Sequence, residues 1–327
     1  MRFWRIVLAA SALEAAALSA VLGLLQLASG FNGWFDALTN FAPLTGLVGV
    51  LGAVLAIASL PRGRQRHIVL AVAGIGLLST AVRMGPEVFR PLPHARTASI
   101  HPLHMLTFNV WNENFDIPGT VKAIKDADVD VVDLQEASEF MKQAKDSLLQ
   151  RYPYLVQCKP YWICQDVILS KRPVLASGAI LPSLPPKDGE LNLIWMKTTG
   201  PDQRPFTIVT THLAWPIPPG PQREERRKLI AAMQPLIGPD TILAGDFNLT
   251  PWSGALRELD RGLTPMVRRT HGLFSWPANI PRIRKPSPLP VLPIDQIFAG
   301  PAWVDSTVKR LPRAGSDHYG VLATLTR

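Results

Sequence analysis

The 327-residue sequence predicts an α/β fold of two β-sheets packed face to face with helices outside, preceded by an N-terminal transmembrane helical segment. Three observations predict it. Residues 1–100 hold long apolar runs and only three acids, Glu14, Asp36 and Glu87. From residue 104 onward, short β-rich runs alternate with turn residues and a few helical patterns. Many of those runs end in an acid, an amide or a histidine.

The apolar runs come first. Ile6 to Ala28 is interrupted only by Glu14 and Gln26 among strongly polar residues, and Phe41 to Leu60 carries no charge. Ile68 to Met84 is shorter and holds Arg83 near its end. About 20 apolar residues cross a hydrocarbon core, so residues 1–84 read as a membrane anchor of about three helices. Arg2 and Arg5 precede the first run, and three Arg lie in Pro61–His67 between the second and third. Ser29–Asn40 has no Lys or Arg. The positive-inside rule then expects a multi-pass inner (plasma) membrane protein with everything after about residue 85 outside the cytoplasm.

This reading also disposes of the net charge of +9, which invites a nucleic-acid partner. Residues 1–100 carry eight Lys or Arg against three acids, leaving 26 against 22 in the remainder. More than half of the excess flanks the apolar runs, where it orients the chain. Charge therefore says little about a ligand.

Residues 85–103 are rich in Pro and polar residues without periodicity and read as a linker. The domain at 104–327 is expected to place strands at 104–110, 129–135, 166–170, 191–197, 206–212, 241–247, 294–299 and 319–326, with helices at 118–127 and 221–237. The Pro-rich stretch 277–293 reads as a long loop. The only cysteines are Cys158 and Cys164. In an oxidising compartment they can close a small disulfide loop, the alternative being two unpaired thiols.

Polar residues at the strand ends carry the chemistry. They are Asn109 in "TFNVWNEN", Glu136 in "DLQEAS", His212 in "VTTHLAW", Asp246 and Asn248 in "GDFN", Asp295 in "IDQIF", and Asp317 with His318 in "GSDHYG". Each alone has an ordinary explanation as a turn residue, a cap or a satisfied core-edge histidine. Together they supply the groups that hold a hard divalent cation and move protons.

The ordered set "FNVWN", "LQE", "THL", "GDFN", "IDQIF" and "GSDHYG" resembles the endonuclease/exonuclease/phosphatase superfamily, over about residues 104–326. With the preceding spans it is similar to a membrane-anchored bacterial branch. The resemblance implies a DNase I-like two-sheet α/β sandwich and a Mg2+- or Mn2+-dependent phosphoric ester hydrolase. It makes Glu136 the principal metal ligand, with Asn109 and Asp317 on the metal side. It has Asp246 and Asn248 orient the attacking water and contact the phosphate, and His212 bind a phosphate oxygen. His318, oriented by Asp295, removes the water's proton, with Asp246 the alternative base. One departure is Gln165 and Asp166, which stand where many members have a small residue, and no role is assigned to them.

The substrate is expected to be a phosphoester of a nucleic acid, a lipid head group or a small molecule. Nuclease or general phosphodiesterase activity is preferred, and phospholipid or sphingomyelin hydrolysis is the alternative. A catalytically inactive, membrane-tethered binding protein is the competing reading of another class.

Overall fold

The computed structural model describes residues 2–91, 101–158, 164–183 and 185–327. Residues 92–100 of the expected linker, and the middle of the cysteine loop, lie outside them. The chain divides into two compact units, Met1–Arg90 with Thr250–Arg257, and Pro91–Leu249 with Glu258–Arg327.

In the N-terminal unit, helices α1 (Arg2–Leu27), α3 (Ala42–Ser59) and α4 (Arg64–Val88) pack together, and the short α2 (Gly33–Thr39) lies between α1 and α3 in the chain. Three helical stretches, Phe3–Gly30, Ala42–Ser59 and Arg64–Val88, are long and apolar enough to cross a membrane. Small residues let them approach: a Cβ on Gly52 would lie 2.7 Å from the backbone nitrogen of Ala16. Leucines and valines such as Leu47, Val54 and Leu78 point outward. The third helix is longer than its sequence suggested, running through Arg83 and four residues into the expected linker. Arg83 is accommodated because its guanidinium donates to the Gln26 carbonyl and the Ser29 hydroxyl at the end of the first span. The frayed carbonyls of one helix thus satisfy the charge of another.

The second unit runs β1 (Leu103–Asn109), α5 (Ile117–Ala127), β2 (Val131–Gln135), α6 (Ser138–Leu149), β3 (Tyr154–Gln157), β4 (Val167–Ser170), β5 (Ala176–Ile180), β6 (Leu193–Thr199), β7 (Pro205–His212), α7 (Pro219–Met233) and β8 (Thr241–Asp246). It continues through α8 (Gly254–Gly262), whose first turn groups with the other unit, β9 (Val267–Arg268), the hairpin β10 (Asn279–Ile280) and β11 (Lys285–Pro286), β12 (Asp295–Ala299), β13 (Asp305–Arg310) and β14 (Val321–Thr326). One six-stranded sheet has the order β13-β14-β1-β2-β4-β3, and the other β5-β6-β7-β8-β12-β9.

Alternation along the strands builds the layers. Met105, Val131 and Ile168 of the first sheet meet Ile194, Met196, Ile208, Ile242 and Ile297 of the second in one buried core. Leu106, Phe108 and Leu134 face the other way, against Ile124 of α5 and Phe140 and Leu148 of α6. Each central strand of the first sheet is therefore covered on both faces, which is why "HMLTFN" reads as a nearly continuous apolar run. All eight expected strands are present within two residues of their expected ends. The stretch expected to be a loop at 277–293 contains the two-residue strands β10 and β11, paired Asn279 with Pro286 and Ile280 with Lys285.

Candidate active site

The topology brings the polar strand ends to one edge of the sandwich. β1 and β2 are parallel, with Asn109 opposite Gln135, so Asn109 and Glu136 leave the first sheet together. β7 and β8 are parallel with His212 opposite Asp246, and antiparallel β12 sets Asp295 opposite the same aspartate. Gly245, opposite Thr211, makes the β7–β8 pairing possible to build. It has φ +144°, and a Cβ there would lie 2.0 Å from the Thr211 carbonyl oxygen, so only glycine fits one residue before Asp246. Phe247 is fully buried against Phe298, ring centroids 5.6 Å apart, while Asp246 and Asn248 turn to the site.

One oxygen sits at the centre. Asp246 Oδ2 accepts from Asn109 Nδ2 at 3.0 Å and lies 3.6 Å from His212 Nε2 and 3.5 Å from His318 Nε2. Its other oxygen accepts the Asn248 amide N–H at 2.9 Å. Asn109 Nδ2 also donates to Glu136 Oε1 at 3.0 Å, joining a carboxylate of each sheet. Asn109 therefore presents its amide nitrogen to the acids, its oxygen accepting the Trp111 N–H at 3.0 Å. Asn248 Nδ2 lies 2.8 Å from the Leu213 carbonyl and 3.2 Å from His212 Nε2. His318 Nδ1 is 3.0 Å from Asp295 Oδ2. Asp317 turns Oδ2 to the Trp276 indole N–H at 3.0 Å. The structure thus brings Asn109, Glu136, His212, Asp246, Asn248, Asp295 and His318 into one cluster, and Asp317 to its margin.

Burial and mutual charge set the protonation states. Burial raises Asp246 to about 6, helped by Asp295 and opposed by the two histidines. Burial disfavours the His318 imidazolium, but Asp295 and Asp246 outweigh it and lift the group to about 10. His212 is raised in the same way, burial losing to Asp246, Glu136 and Asp166. Glu136 is lowered: burial opposes its charge, and His212 with the Asn109 and Asn112 hydrogen bonds overcomes that. At neutral pH the cluster therefore holds a charged His318 and an ionised Glu136, with Asp246 poised to exchange a proton.

The donor set suits a hard divalent cation. Ligand atoms of Asp246, Asp295 and His318 lie within 4.8 Å of one another, but an imidazolium at His318 has no lone pair to give, and the Glu136 carboxylate, 21% exposed at the mouth, is the acid left to meet a cation. Among the described residues, Asp317 Oδ1 is buried without a hydrogen-bond partner, as a carboxylate built to meet a cation would be.

Other residues complete the surroundings of the site, Asn112 and Trp276 among them without a role read from the sequence. The Asn112 amide donates to Glu136 Oε2 at 3.2 Å, and only the second Asn of "NVWNEN" hinted at it. Trp276 reaches Asp317 from 41 residues away. Asp166 is buried beneath the cluster, accepts from Asn192 Nδ2 at 2.9 Å, and is raised by burial to about 7. Cys158 and Cys164 are joined as a disulfide in the inter-sheet core, Cα atoms 5.8 Å apart.

Comparison with known families bears on this edge directly. A model described as the Endonuclease/Exonuclease/phosphatase family matches residues 106–318, from within β1 to His318 itself. The chain belongs to that family. Solved structures share the fold of the endonuclease/exonuclease/phosphatase unit. TDP2 from D. rerio, complexed with a single-strand DNA product, is 18% identical, with 69% of this chain and 99% of that chain covered at a TM-score of 0.53. Beta toxin from Staphylococcus aureus, a variant with bound magnesium ions, is 14% identical over 69% and 100% at a TM-score of 0.50. The Bacteroides thetaiotaomicron mannosyl-6-phosphatase is 16% identical over 69% and 100%, also at 0.50. Among curated proteins, none matches the sequence significantly.

Proposed function

We propose that the chain is a divalent-metal-dependent phosphoester hydrolase, acting as a nuclease or general phosphodiesterase by in-line attack of water. The observation that carries this reading is the convergence of Asn109, His212 and His318 nitrogens on Asp246 Oδ2. It surrounds a proton-accepting oxygen with the donors that a phosphate going through a more negative transition state requires.

In this reading Asp246 is the base. Its pKa of about 6 leaves it ionised at neutral pH and close to the best value for taking a proton there. His318, at about 10, is held as an imidazolium by Asp295 and donates to a phosphate oxygen. That ordering favours Asp246 over His318 as the base and reverses the preference drawn from sequence. Asp246 Oδ2 takes the proton of the attacking water, the water oxygen bonds to phosphorus, and the bond to the leaving oxygen breaks. His212, also raised and 26% exposed, protonates that leaving oxygen. Asn248, its nitrogen on the Leu213 carbonyl, holds the phosphate side of the site.

Glu136, with Asp317 beside it, would hold Mg2+ or Mn2+, and Asn109 keeps the Glu136 carboxylate in place through its amide nitrogen. A cation bound there supplies the positive charge that neutralises a phosphate oxygen.

The distribution of Arg supports a cytoplasmic N-terminus and an extracytoplasmic catalytic unit. A periplasm-active reporter fused after residue 95 should be active, and a silent one overturns that orientation.

The three apolar helices support a second choice of substrate, a phospholipid or sphingomyelin phosphodiester presented at a bilayer. The full chain, purified in detergent, decides among plasmid DNA, a chromogenic phosphodiester and sphingomyelin vesicles, each with Mg2+, Mn2+ or EDTA. Metal-dependent cleavage of DNA or the chromogenic diester is expected. Cleavage of sphingomyelin alone overturns the choice of substrate. Turnover of none leaves a membrane-tethered binding protein.

A further inference from the structure

Glu136 occupies an awkward backbone position. Its φ is +50°, in the left-handed region that glycine and asparagine tolerate and glutamate does not. Such a residue is held at a cost in strain, and the surroundings must over-determine it. Asn109 secures one carboxylate oxygen from within the cluster. The other side is secured from outside it, through residues to which neither the family resemblance nor the reaction gives a part.

Those residues form a short relay. Glu136 Oε2 accepts the Asn112 backbone N–H at 3.2 Å. The Asn112 side chain is fixed at both ends: its Nδ2 donates to Gln165 Oε1, and its Oδ1 accepts from Ser138 Oγ at 3.3 Å. Gln165 also accepts the Ala137 N–H on its own carbonyl at 2.7 Å, so one residue grips the chain immediately after Glu136 and the loop in front of it. Gln165 itself follows Cys164 directly. The Cys158–Cys164 crosslink, both sulfurs buried, ties that point to the end of β3 just before β4 begins. The departure at position 165 thus acquires a structural meaning, since a small residue there has no side chain to reach Asn112.

We propose that Gln165, anchored by the Cys158–Cys164 crosslink, is a positioning residue that fixes Glu136 through Asn112 and so sets the affinity of the site for a divalent cation. The inference rests on the metal-dependent reading above. A glutamate free to leave its left-handed conformation reaches the cation less often, so the loss shows as weaker binding rather than as slower chemistry. Partners that orient a metal ligand from behind are worth about 10–100-fold in metal affinity.

The test is Mn2+ binding to the full chain in detergent, followed by the electron paramagnetic resonance signal of free Mn2+, alongside phosphodiester turnover. Gln165→Met keeps the length and removes the acceptor. It should weaken Mn2+ binding about tenfold or more. Turnover at saturating Mn2+ should return to within about twofold of the parent value, the signature of a positioning role. Gln165→Glu keeps an oxygen for Asn112 Nδ2 and should retain the parent affinity. Replacing both cysteines by alanine should weaken Mn2+ binding in the same direction as Gln165→Met. Parent-like Mn2+ affinity in Gln165→Met overturns the proposal while leaving the metal-dependent reading standing. A parent protein that binds no Mn2+ overturns that reading and this proposal with it.

Discussion

His318 Nδ1 and Asp295 Oδ2 lie 3.0 Å apart, with both residues nearly buried and the aspartate fixed opposite Asp246 in the β8–β12 ladder. The pair keeps an imidazolium charged well above neutral pH. Asp295→Asn removes an opposite charge at hydrogen-bond distance, which is worth about 1–3 pKa units. In the proposed mechanism the charged form of His318 is the working form, so the alkaline limb of the pH–rate profile should move to lower pH by about that amount. The measurement is kcat/KM for a chromogenic phosphodiester from pH 6 to 10. An unmoved limb removes His318 from the role given to it.

Asp246→Asn should lower kcat by about 10²-fold or more, the usual contribution of a positioned base. Far-ultraviolet circular dichroism should be unchanged, because Asn preserves the oxygen that accepts the Asn248 N–H. In the parent protein, Asp246 gains a proton as pH falls through about 6, which removes a negative charge one amide group away from the Glu136 carboxylate proposed to hold the cation. The apparent Mg2+ affinity should therefore drop below pH 6, a trend that titrations at pH 5 and 7 will show or refute.

Asp133 gives a stability prediction away from the chemistry. It is fully buried, surrounded by Gln135, Thr107 and Thr210, and burial raises it to about 8. The folded state then holds a proton that the unfolded state releases near pH 4, so stability falls as pH rises from about 4 to about 8 and is level above that. Asp133→Asn has nothing to ionise. Denaturant titrations should find it close to the parent near pH 4, and more stable by at least ~1 kcal/mol at pH 8 or above, the worth of a single pKa unit.

Gly245→Ala should be disproportionately harmful for one methyl group. The added carbon meets the Thr211 carbonyl at 2.0 Å on a backbone of φ +144°. We expect a loss of roughly 2 kcal/mol or more, in the range set by strain at special backbone positions. Asp246 should be displaced with it, so activity should fall further than the folded fraction does. Thermal melts and specific activity on the same preparation separate the two effects.

Much of this architecture was legible in the sequence because buried strands announce themselves. Runs such as "FTIVTTH" and "TILAGD" are apolar on both faces, and their polar ends mark where the sheet stops. The strands that escaped notice lie at edges or are very short. β5 (Ala176–Ile180) is mostly exposed and β13 (Asp305–Arg310) half so, and neither carries an apolar run to recognise. Helix α6, not among the expected helices, does carry a signal: Phe140, Met141, Ala144 and Leu148 follow a helical period. In the site, residue types were legible and contacts were not. Nothing local says that Asn109 turns nitrogen rather than oxygen to the acids, or that Asn112 finds Gln165, 53 residues away.

The two hydrogen bonds of Asn109 Nδ2 have a mechanical consequence. One goes to a carboxylate carried by the first sheet and the other to a carboxylate carried by the second. A single amide group thus gauges the alignment of the two layers. Any sliding of one sheet across the other must stretch one of those bonds, so the sandwich registers its own assembly at the place where it works. A partly opened molecule would lose this alignment before it lost its strands.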